Sequence, residues 1–250
     1  MAALAAGMAL AAEGCGPVTE EAARTPRSTL DTGGGPLIYV AVGASESVGI
    51  GADRPADQAW PVVLHRTALP PGSVLVNLGV PGATVADALA VQLPQALARH
   101  PALATVWLNV NDILHGVPPA EYERRLDVLV RALVRGGDTL VLVANTPAFE
   151  LLPAYREWQA AVEAAGYPQV GLPSAAQIKA VVDEYNEAIA RVTRRHGAVL
   201  VDLHGAGAAA LGQGTAGSLV GADGFHPSTA GHRAVAEVFA RALEKALRAS

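Results

Sequence analysis

The feature that most limits how this chain can fold is a short apolar segment, residues 37–42, which ends in a turn carrying Ser45. The segment is rich in β-branched residues and is bounded by Gly-Gly-Gly-Pro before it and Gly-Ala-Ser after it. This pattern predicts a core strand of a parallel sheet. Ligands of open α/β sheets bind beyond the carboxyl ends of the strands, so Ser45 is a candidate nucleophile. Because serine also favours turns through its own hydrogen bonds, a purely structural turn is the alternative.

Four more apolar segments alternate with helical patterns along the rest of the chain. The predicted strands are 73–78, 104–109, 139–144 and 198–203, and the predicted helices are 57–69, 85–100 with a break at Pro94, 119–135, 174–196 and 228–247. Strands that alternate with helices through short turns indicate a parallel sheet covered on both faces by right-handed crossovers. The sequence therefore predicts an α/β fold with a five-stranded parallel sheet.

One connection, from Asn145 to Pro173, is much longer than the others. Connections of this length in a compact domain are mostly functional lids or binding loops. Part of it, residues 154–165, is compatible with a helix. Its bulky apolar side chains are Phe149, Leu151, Leu152, Tyr155, Trp158 and Tyr167. We expect this segment to choose among substrates.

Composition and charge narrow the class of partner. A chain of 250 residues, 51% of them hydrophobic, can bury a substantial core in one domain. The formal net charge is -5, so no basic face is expected and nucleic acid is not an expected partner. The single cysteine, Cys15, rules out an intrachain disulfide and a multi-thiolate metal site.

The first 35 residues differ from the rest in composition. Residues 1–12 form an apolar run too short to cross a bilayer as a helix, and a polar linker follows Cys15. Gly14 suits a bacterial lipoprotein signal, whereas Glu13 and the absence of a basic start do not. We expect residues 1–35 to be a leader or lipoprotein-type signal with a flexible linker, and residues 36–250 to form the domain. This favours export, with membrane attachment through a lipidated Cys15; a cytoplasmic protein with a frayed extension is the alternative.

Polar residues stand at the ends of the first three predicted strands, and a further pair precedes the last helix. The strand-end residues are Ser45, then Asn77, Gly79 and Gly82, then Asn111 and Asp112. Three positions separate Asp223 from His226, so one turn can hold the carboxylate against the imidazole. The other ring nitrogen would face the sheet edge. His226 is thus a candidate general base for Ser45.

The order of these motifs resembles that of the SGNH hydrolases, also called GDSL esterases and lipases. The corresponding residues are Gly43, Ala44, Ser45, Glu46 and Gly49 for the first block, Asn77, Gly79, Gly82 and Thr84 for the second, Asn109, Asn111 and Asp112 for the third, and Asp223, His226 and Pro227 for the last. Each motif alone is weak, but four in order at strand ends are specific. The resemblance spans nearly all of the chain from residue 36 and implies a flavodoxin-like three-layer α/β/α fold.

The resemblance also implies roles for individual residues. Ser45 would be the nucleophile, His226 the base and Asp223 its orienting carboxylate. The oxyanion hole would comprise the amides of Ser45 and Gly82 and the side chain of Asn111. These roles describe a serine esterase that cleaves small-molecule carboxylic esters and needs no cofactor or metal.

Two positions depart from the family's first block, and they leave alternatives open. Ala44 stands where the family has aspartate, and Glu46 stands where it has leucine, so a carboxylate lies beside the nucleophile. An acyltransferase that uses the same acyl-enzyme is one alternative, and a non-catalytic, surface-anchored binding protein is another. An α/β-hydrolase elbow is disfavoured because Ser47 replaces its second glycine. Acetylated sugars, lysophospholipids, short acyl esters and thioesters all suit the same residues.

Overall fold

In a computed structural model of the chain, the structure describes Leu30 and residues 34–164 and 173–249. Most of the predicted leader and linker, including Cys15, lies outside the described residues, and so does Tyr167 of the long connection. Leu30 packs against the hydrophobic core. Within the described part of the chain, no helix has the length and apolar character needed to cross a membrane.

Five parallel strands form a single sheet in the order β2-β1-β3-β4-β5. The strands are β1 (Ile38–Gly43), β2 (Val74–Asn77), β3 (Leu103–Trp107), β4 (Leu140–Ala144) and β5 (Val199–Val201). In the register of the sheet, Val40 of β1 lies between Val76 of β2 and Ala104 of β3. This order is that of the flavodoxin-like doubly wound folds, and it confirms the predicted five-stranded α/β architecture.

Helices cover both faces of the sheet. They are α1 (Ser45–Val48), α2 (Pro55–Gln58), α3 (Trp60–Ala68), α4 (Val85–Asp87), α5 (Leu93–Ala98), α6 (Val110–Leu114), α7 (Pro119–Val134), α8 (Pro153–Ala164), α9 (Ala175–His196), α10 (Leu203–Gly212), α11 (Ala216–Leu219) and α12 (Thr229–Arg248). A π-helical turn (Ala88–Gln92) joins α4 to α5, and 3-10 turns occupy Arg135–Gly137 and Phe149–Leu151.

The core consists of two hydrophobic layers, one on each face of the sheet. Alternation along β1 sends Val40 and Val42 to one layer and Tyr39 and Ala41 to the other. The first layer lies under α7 and α9, which pack together through the stacked rings of Tyr122 and Tyr185, 4.2 Å apart between centroids. In the second layer, Trp60 of α3 stacks on Phe239 of α12 at 4.3 Å. Two packed layers hold the sheet rigid, so the loops at its carboxyl edge have a fixed base.

The structure differs from the sequence prediction at Pro94. A break was expected there, yet the chain stays helical from Val85 to Ala98 and instead widens to a π turn over Ala88–Gln92. Proline lacks an amide hydrogen and its ring clashes with the carbonyl four residues earlier, and a wider turn relieves both conflicts. The π turn brings Gln92 into the core, where it is 1% exposed.

Four helices were not predicted, namely α1, α6, α10 and α11. α10 is rich in glycine and alanine, and α11 is only four residues long, so neither shows the apolar periodicity of a surface helix. The predicted third strand also ends early, at Trp107, because the side chain of Asn109 accepts a hydrogen bond from the amide of Val110 and caps α6. The predicted helix within the long connection is present as α8.

Candidate active site

Ser45 is the first residue of α1, directly beyond the end of β1. It is 7% exposed, and its carbonyl oxygen accepts a hydrogen bond from the amide of Ile50 at 3.1 Å. The turn is tight, because a Cβ atom on Gly43 would lie 2.0 Å from the hydroxyl of Ser47. Only glycine fits at position 43, and the close packing fixes the backbone from which Ser45 projects.

Two amide side chains fasten this turn to its surroundings. Gln92, on the π turn, donates to the carbonyl of Gly43 at 3.0 Å and accepts from its amide at 2.9 Å. Asn77, at the end of β2, donates to the carbonyl of Ser47 at 2.5 Å. Sequence reasoning singled out Asn77 but missed Gln92, since glutamine carries no motif and its burial depends on the π turn.

His226 lies beside Ser45, although 181 positions separate them in the sequence. The Nε2 atom of His226 is 3.0 Å from the hydroxyl oxygen of Ser45, and its Nδ1 atom is 2.6 Å from a carboxylate oxygen of Asp223. The other oxygen of Asp223 accepts from the backbone amides of Phe225 and His226, both at 2.9 Å. These bonds hold the ring by one nitrogen and leave the other against the hydroxyl.

The negative charge of Asp223 is stabilised by the hydrogen bonds that its carboxylate accepts. Partial burial acts to raise the pKa of Asp223, but the hydrogen bonds from the Phe225 amide and from the ring and amide of His226 outweigh it and lower the pKa below its usual value. Asp223 is therefore a carboxylate at neutral pH. A carboxylate in this position favours the ring tautomer with its proton on Nδ1 and a bare Nε2 facing Ser45.

The loop that carries His226 is attached to the rest of the fold on several sides. The amide of Gly221 donates to the carbonyl of His226 at 2.7 Å. Ser228 caps α12 by accepting from the amide of Gly231 at 3.1 Å. The Nε2 atom of the buried His232 lies 2.9 Å from the carbonyl oxygen of Ile50, which ties α12 to the turn after Ser45. The relative positions of Ser45 and His226 thus rest on rigid elements.

The other predicted oxyanion donors follow two different strands, Gly82 in the loop after β2 and Asn111 in α6 after β3. Gly82 is exposed and has a φ of 79°, a left-handed conformation that favours glycine. The side-chain amide of Asn111 donates to the carbonyl of Ala83 at 3.0 Å, which leaves its second proton for another acceptor. The segments after β2 and β3 are therefore joined through Asn111, one of the residues that were predicted to bind an oxyanion.

Asp112 of α6 also links the segments that follow β2 and β3. It is fully buried, and both of its carboxylate oxygens face the amide of Val85, at 3.0 and 3.3 Å. Burial raises the pKa of Asp112 to about 6, even though the Val85 amide and the charge of Arg125 act to lower it. The sequence placed Asp112 at the edge of the sheet but did not indicate this burial.

Glu46 and Ala44, the two departures from the family's first block, are both buried. Glu46 is 8% exposed, and its Oε2 atom has no hydrogen-bond partner among the described residues. Burial raises the pKa of Glu46, while hydrogen bonding to its own backbone and the nearby His226 act to lower it. A buried carboxyl group thus accompanies the hydroxyl and the imidazole.

A cavity of about 170 Å³ adjoins His226, and its wall is mainly apolar. Glu46 and His226 both line it, and Phe149 and Leu152 of the long connection form part of its wall. In the same connection, Trp158 is 50% exposed on α8. His115 is exposed outside this cavity, with its Nδ1 atom 2.7 Å from the carbonyl oxygen of Asn111.

Solved structures share this fold. The lipase/acylhydrolase from Enterococcus faecalis is 19% identical over 84% of this chain and 96% of that chain, with a TM-score of 0.64. LAE5, an alpha/beta hydrolase enzyme from the metagenome of Lake Arreo, Spain, is 26% identical over 84% and 96%, with a TM-score of 0.63. The psychrotrophic esterase EstA from Pseudoalteromonas sp., in a structure inhibited by monoethylphosphonate, is 16% identical over 83% and 97%, with a TM-score of 0.60.

Sequence comparison gives the family directly. No curated protein sequence matches this chain. The profile of the GDSL-like lipase/acylhydrolase family matches residues 41–234, which include Ser45, Asn111 and His226. The match covers more than half of the chain and agrees with the strand order of the sheet. This protein therefore belongs to the GDSL-like lipase/acylhydrolase family and is a hydrolase.

Proposed function

We propose that the protein hydrolyses carboxylic esters through an acyl-enzyme formed on Ser45. The single observation that carries this proposal is the line of atoms from the Ser45 hydroxyl through His226 to Asp223, with separations of 3.0 and 2.6 Å. A hydroxyl, an imidazole and a carboxylate in hydrogen-bond contact are the parts that acyl transfer to serine requires.

In the first half of the reaction, the Ser45 oxygen attacks the ester carbonyl carbon while Nε2 of His226 takes the hydroxyl proton. The carbonyl oxygen becomes negative, and the amides of Ser45 and Gly82 and the side chain of Asn111 are proposed to stabilise it. When the carbonyl re-forms, the carbon–oxygen bond to the alcohol breaks. His226 gives its proton to the departing alcohol, and the acyl group stays on Ser45.

In the second half, water takes the place of the alcohol. His226 removes a proton from water as its oxygen attacks the acyl carbonyl carbon. The tetrahedral intermediate collapses, the bond to Ser45 breaks, and the serine oxygen regains a proton from His226. The products are the free acid and the unmodified enzyme. Asp223, ionised throughout, stabilises the imidazolium that forms in each half.

The cavity beside His226 is proposed to hold the acyl chain. Its wall is mainly apolar, and it adjoins both the proposed base and the residue that follows the proposed nucleophile. Phe149 and Leu152 bring the long connection into this wall, in keeping with the prediction that the connection chooses among substrates. An aliphatic acyl group gains free energy by leaving water for such a surface.

Turnover of a short-chain p-nitrophenyl ester tests the proposal. The wild-type protein should release nitrophenol, and Ser45→Ala and His226→Ala should each lower kcat by at least about 10³-fold. Ser47→Ala is the matched control, because its buried hydroxyl has no partner among the described residues. Circular dichroism should show all variants folded. A folded wild-type protein without turnover would favour the binding-protein alternative, and ester exchange with an added alcohol would favour the acyltransferase.

The pH dependence of the same turnover gives a second test. Protonation of His226 removes the lone pair that accepts the serine proton, so kcat/KM should fall from neutral to mildly acidic pH. Asp223 stays ionised over this range because its pKa lies below the usual value. A flat rate between neutral and mildly acidic pH would contradict the role of His226 as base.

A further inference from the structure

A buried histidine that takes no part in the proposed mechanism lies next to the site. His232, in the first turn of α12, is 0% exposed. Its Nε2 atom lies 2.9 Å from the carbonyl oxygen of Ile50, and its Nδ1 atom is buried without a hydrogen-bond partner among the described residues. An apolar side chain of similar size would pack there without leaving a ring nitrogen unpaired. The bond to Ile50 is therefore the distinctive contribution of this histidine.

The ring of His232 is a neutral hydrogen-bond donor. Burial lowers the pKa of His232 and outweighs the bond to the Ile50 carbonyl, which acts to raise it; the nearby His226 also acts to lower it. The ring is therefore uncharged at neutral pH. A carbonyl oxygen only accepts, so Nε2 carries the single proton and donates it to Ile50. Such a donor adds no second positive charge near the imidazolium that His226 forms during the proposed reaction.

Ile50 connects this bond to the proposed nucleophile. The amide of Ile50 donates to the carbonyl of Ser45 at 3.1 Å, so Ile50 holds Ser45 by its amide and is held by His232 through its carbonyl. The amide of His232 in turn donates to the carbonyl of Ser228 at 2.8 Å, two residues after His226. With the 3.0 Å contact between Ser45 and His226, these bonds close a ring that contains both residues.

The segment after α1 also approaches the loop that carries His226 very closely. Gly51 has a φ of 92°, and a Cβ atom there would lie 2.3 Å from the carbonyl oxygen of Pro227 and 3.0 Å from the Cβ atom of His226. The two backbones therefore meet without room for a side chain between them. Because Ile50 directly precedes Gly51, a movement of Ile50 would alter this contact together with the position of Ser45.

On the basis of the proposed ester hydrolysis, we propose that His232 is a positioning residue, which sets the distance between the Ser45 hydroxyl and Nε2 of His226 by holding the carbonyl of Ile50. It acts through these two residues and not on the ester itself. Proton transfer requires the two atoms to lie within hydrogen-bond reach, and a displacement of about 1 Å can lower the rate by about 10²-fold. His232 therefore affects kcat and not the binding of the ester.

Two substitutions separate the donor from the rest of the side chain. His232→Gln keeps an N–H donor, whereas His232→Leu fills the space without one. With the p-nitrophenyl ester, His232→Leu should lower kcat by about 10- to 100-fold and change KM by less than about 2-fold. His232→Gln should keep kcat within about 3-fold of the wild type. Inactivation by phenylmethanesulfonyl fluoride should slow in the same order, because it needs the nucleophile and its base but no ester.

Thr229 offers a matched control, because it joins the same two segments at a half-buried position. Its hydroxyl accepts from the amide of Asp53 and donates to the Asp53 carboxylate, both at 2.9 Å. This link does not pass through Ile50, so Thr229→Val should keep kcat within about 2-fold of the wild type. Urea denaturation gives the stability of each variant, and kcat is compared under conditions in which all are folded. Equal losses of kcat in Thr229→Val and His232→Leu would overturn the inference.

The remaining outcomes are equally decisive. An unchanged kcat in His232→Leu would overturn the inference and leave ester hydrolysis intact, and so would a kcat for His232→Gln as low as that for His232→Leu. If His232→Leu does not fold, Gly51→Ala tests the same contact from the surface. Its methyl group would force Ile50 away from the loop, so kcat should fall by at least about 10-fold with little change in KM, and an unchanged kcat would overturn the inference. If the wild-type protein does not hydrolyse the nitrophenyl ester, the proposed function fails and takes this inference with it.

Discussion

Gln92 holds the backbone of Gly43 through two hydrogen bonds, donating to its carbonyl at 3.0 Å and accepting from its amide at 2.9 Å. Gly43 ends β1 two residues before Ser45, and Gln92 is 1% exposed. This buried side chain thus pairs with the amide of Gly43 and shares its carbonyl with the amide of Val80, at the point where the central strand turns toward the site.

Replacing Gln92 with leucine should destabilise the fold and slow the reaction. Gln92→Leu leaves the buried amide of Gly43 unpaired, while its carbonyl keeps the hydrogen bond from the amide of Val80 at 3.1 Å. The free energy of unfolding should therefore fall by about 1–3 kcal/mol. The displaced turn should lower kcat by about 10- to 100-fold. Urea denaturation and ester turnover measure the two effects.

Gln95 provides the matched control for Gln92. It lies one turn further along the same helix and is exposed, and its side chain donates a hydrogen bond to the carbonyl of Val91. Gln95→Leu should change the free energy of unfolding by less than about 0.5 kcal/mol and leave turnover unaffected. Equal effects of the two substitutions would show that the contact with Gly43 has no special value.

The sequence predicted the main residues of the site because the patterns that identify them are local in the chain. The apolar run before Ser45, the spacing of Asp223 and His226, and the polar residues after successive strands can all be read without knowledge of tertiary contacts. In a parallel sheet, every strand delivers its end to one edge, so strand assignment alone predicted that distant residues would meet. His226 precedes α12 and does not follow a strand, so its 3.0 Å separation from Ser45 was indicated by the Asp223–His226 motif and not by strand assignment.

What the sequence could not indicate depends on packing at long range. Gln92 contacts Gly43 because a π turn rotates it inward, and Asp112 is buried against the start of α4, where it accepts a hydrogen bond from the amide of Val85. Neither residue type predicts burial, since both are usually found at surfaces. Helix α10 was also missed, because its glycines and alanines give no amphipathic pattern.

Asp223→Asn should reduce kcat with little change in KM. The asparagine amide can donate to Nδ1 of His226, which favours the tautomer with a proton on Nε2 and leaves no base facing Ser45. We expect kcat for the nitrophenyl ester to fall by about 10²–10⁴-fold, in line with the loss of an orienting carboxylate elsewhere. The control is Asp183→Asn on α9, an exposed carboxylate paired with Lys179, which should keep full turnover. Undiminished kcat in Asp223→Asn would remove the carboxylate from the mechanism.

Asn111→Ala tests the proposed oxyanion site. One proton of the Asn111 amide is used by the carbonyl of Ala83, and the other is proposed to bind the negative oxygen of the intermediate. Loss of one such donor typically lowers kcat by about 10²–10³-fold, which corresponds to about 2.7–4 kcal/mol. Because the negative oxygen exists only in the transition state and intermediate, KM should change little. A rise in KM with kcat unchanged would instead indicate a contact with the bound ester.

Asp112 should make the stability of the protein depend on pH in an unusual direction. Burial raises its pKa from 3.8 to about 6, so the folded state holds this proton more tightly than the unfolded state. The folded state is therefore favoured by this group at low pH, and that advantage is lost as the pH rises between 3.8 and about 6. The difference in pKa corresponds to at most about 3 kcal/mol.

Asp112→Asn removes this titratable group and therefore tests the direction in which its ionisation changes the free energy of unfolding. The difference in free energy of unfolding, variant minus wild type, should increase by up to about 3 kcal/mol between pH 4 and pH 7, as measured by urea denaturation. Asp127→Asn should show no such rise between pH 4 and pH 7, because the pKa of Asp127 in the folded state lies below its usual value of 3.8. Burial acts to raise the pKa of Asp127, but its bonds to Arg195 and His196 outweigh this and lower it, so its contribution to stability is lost as the pH falls. Parallel pH curves for Asp112→Asn and the wild type would mean that Asp112 keeps its ordinary pKa in the folded protein.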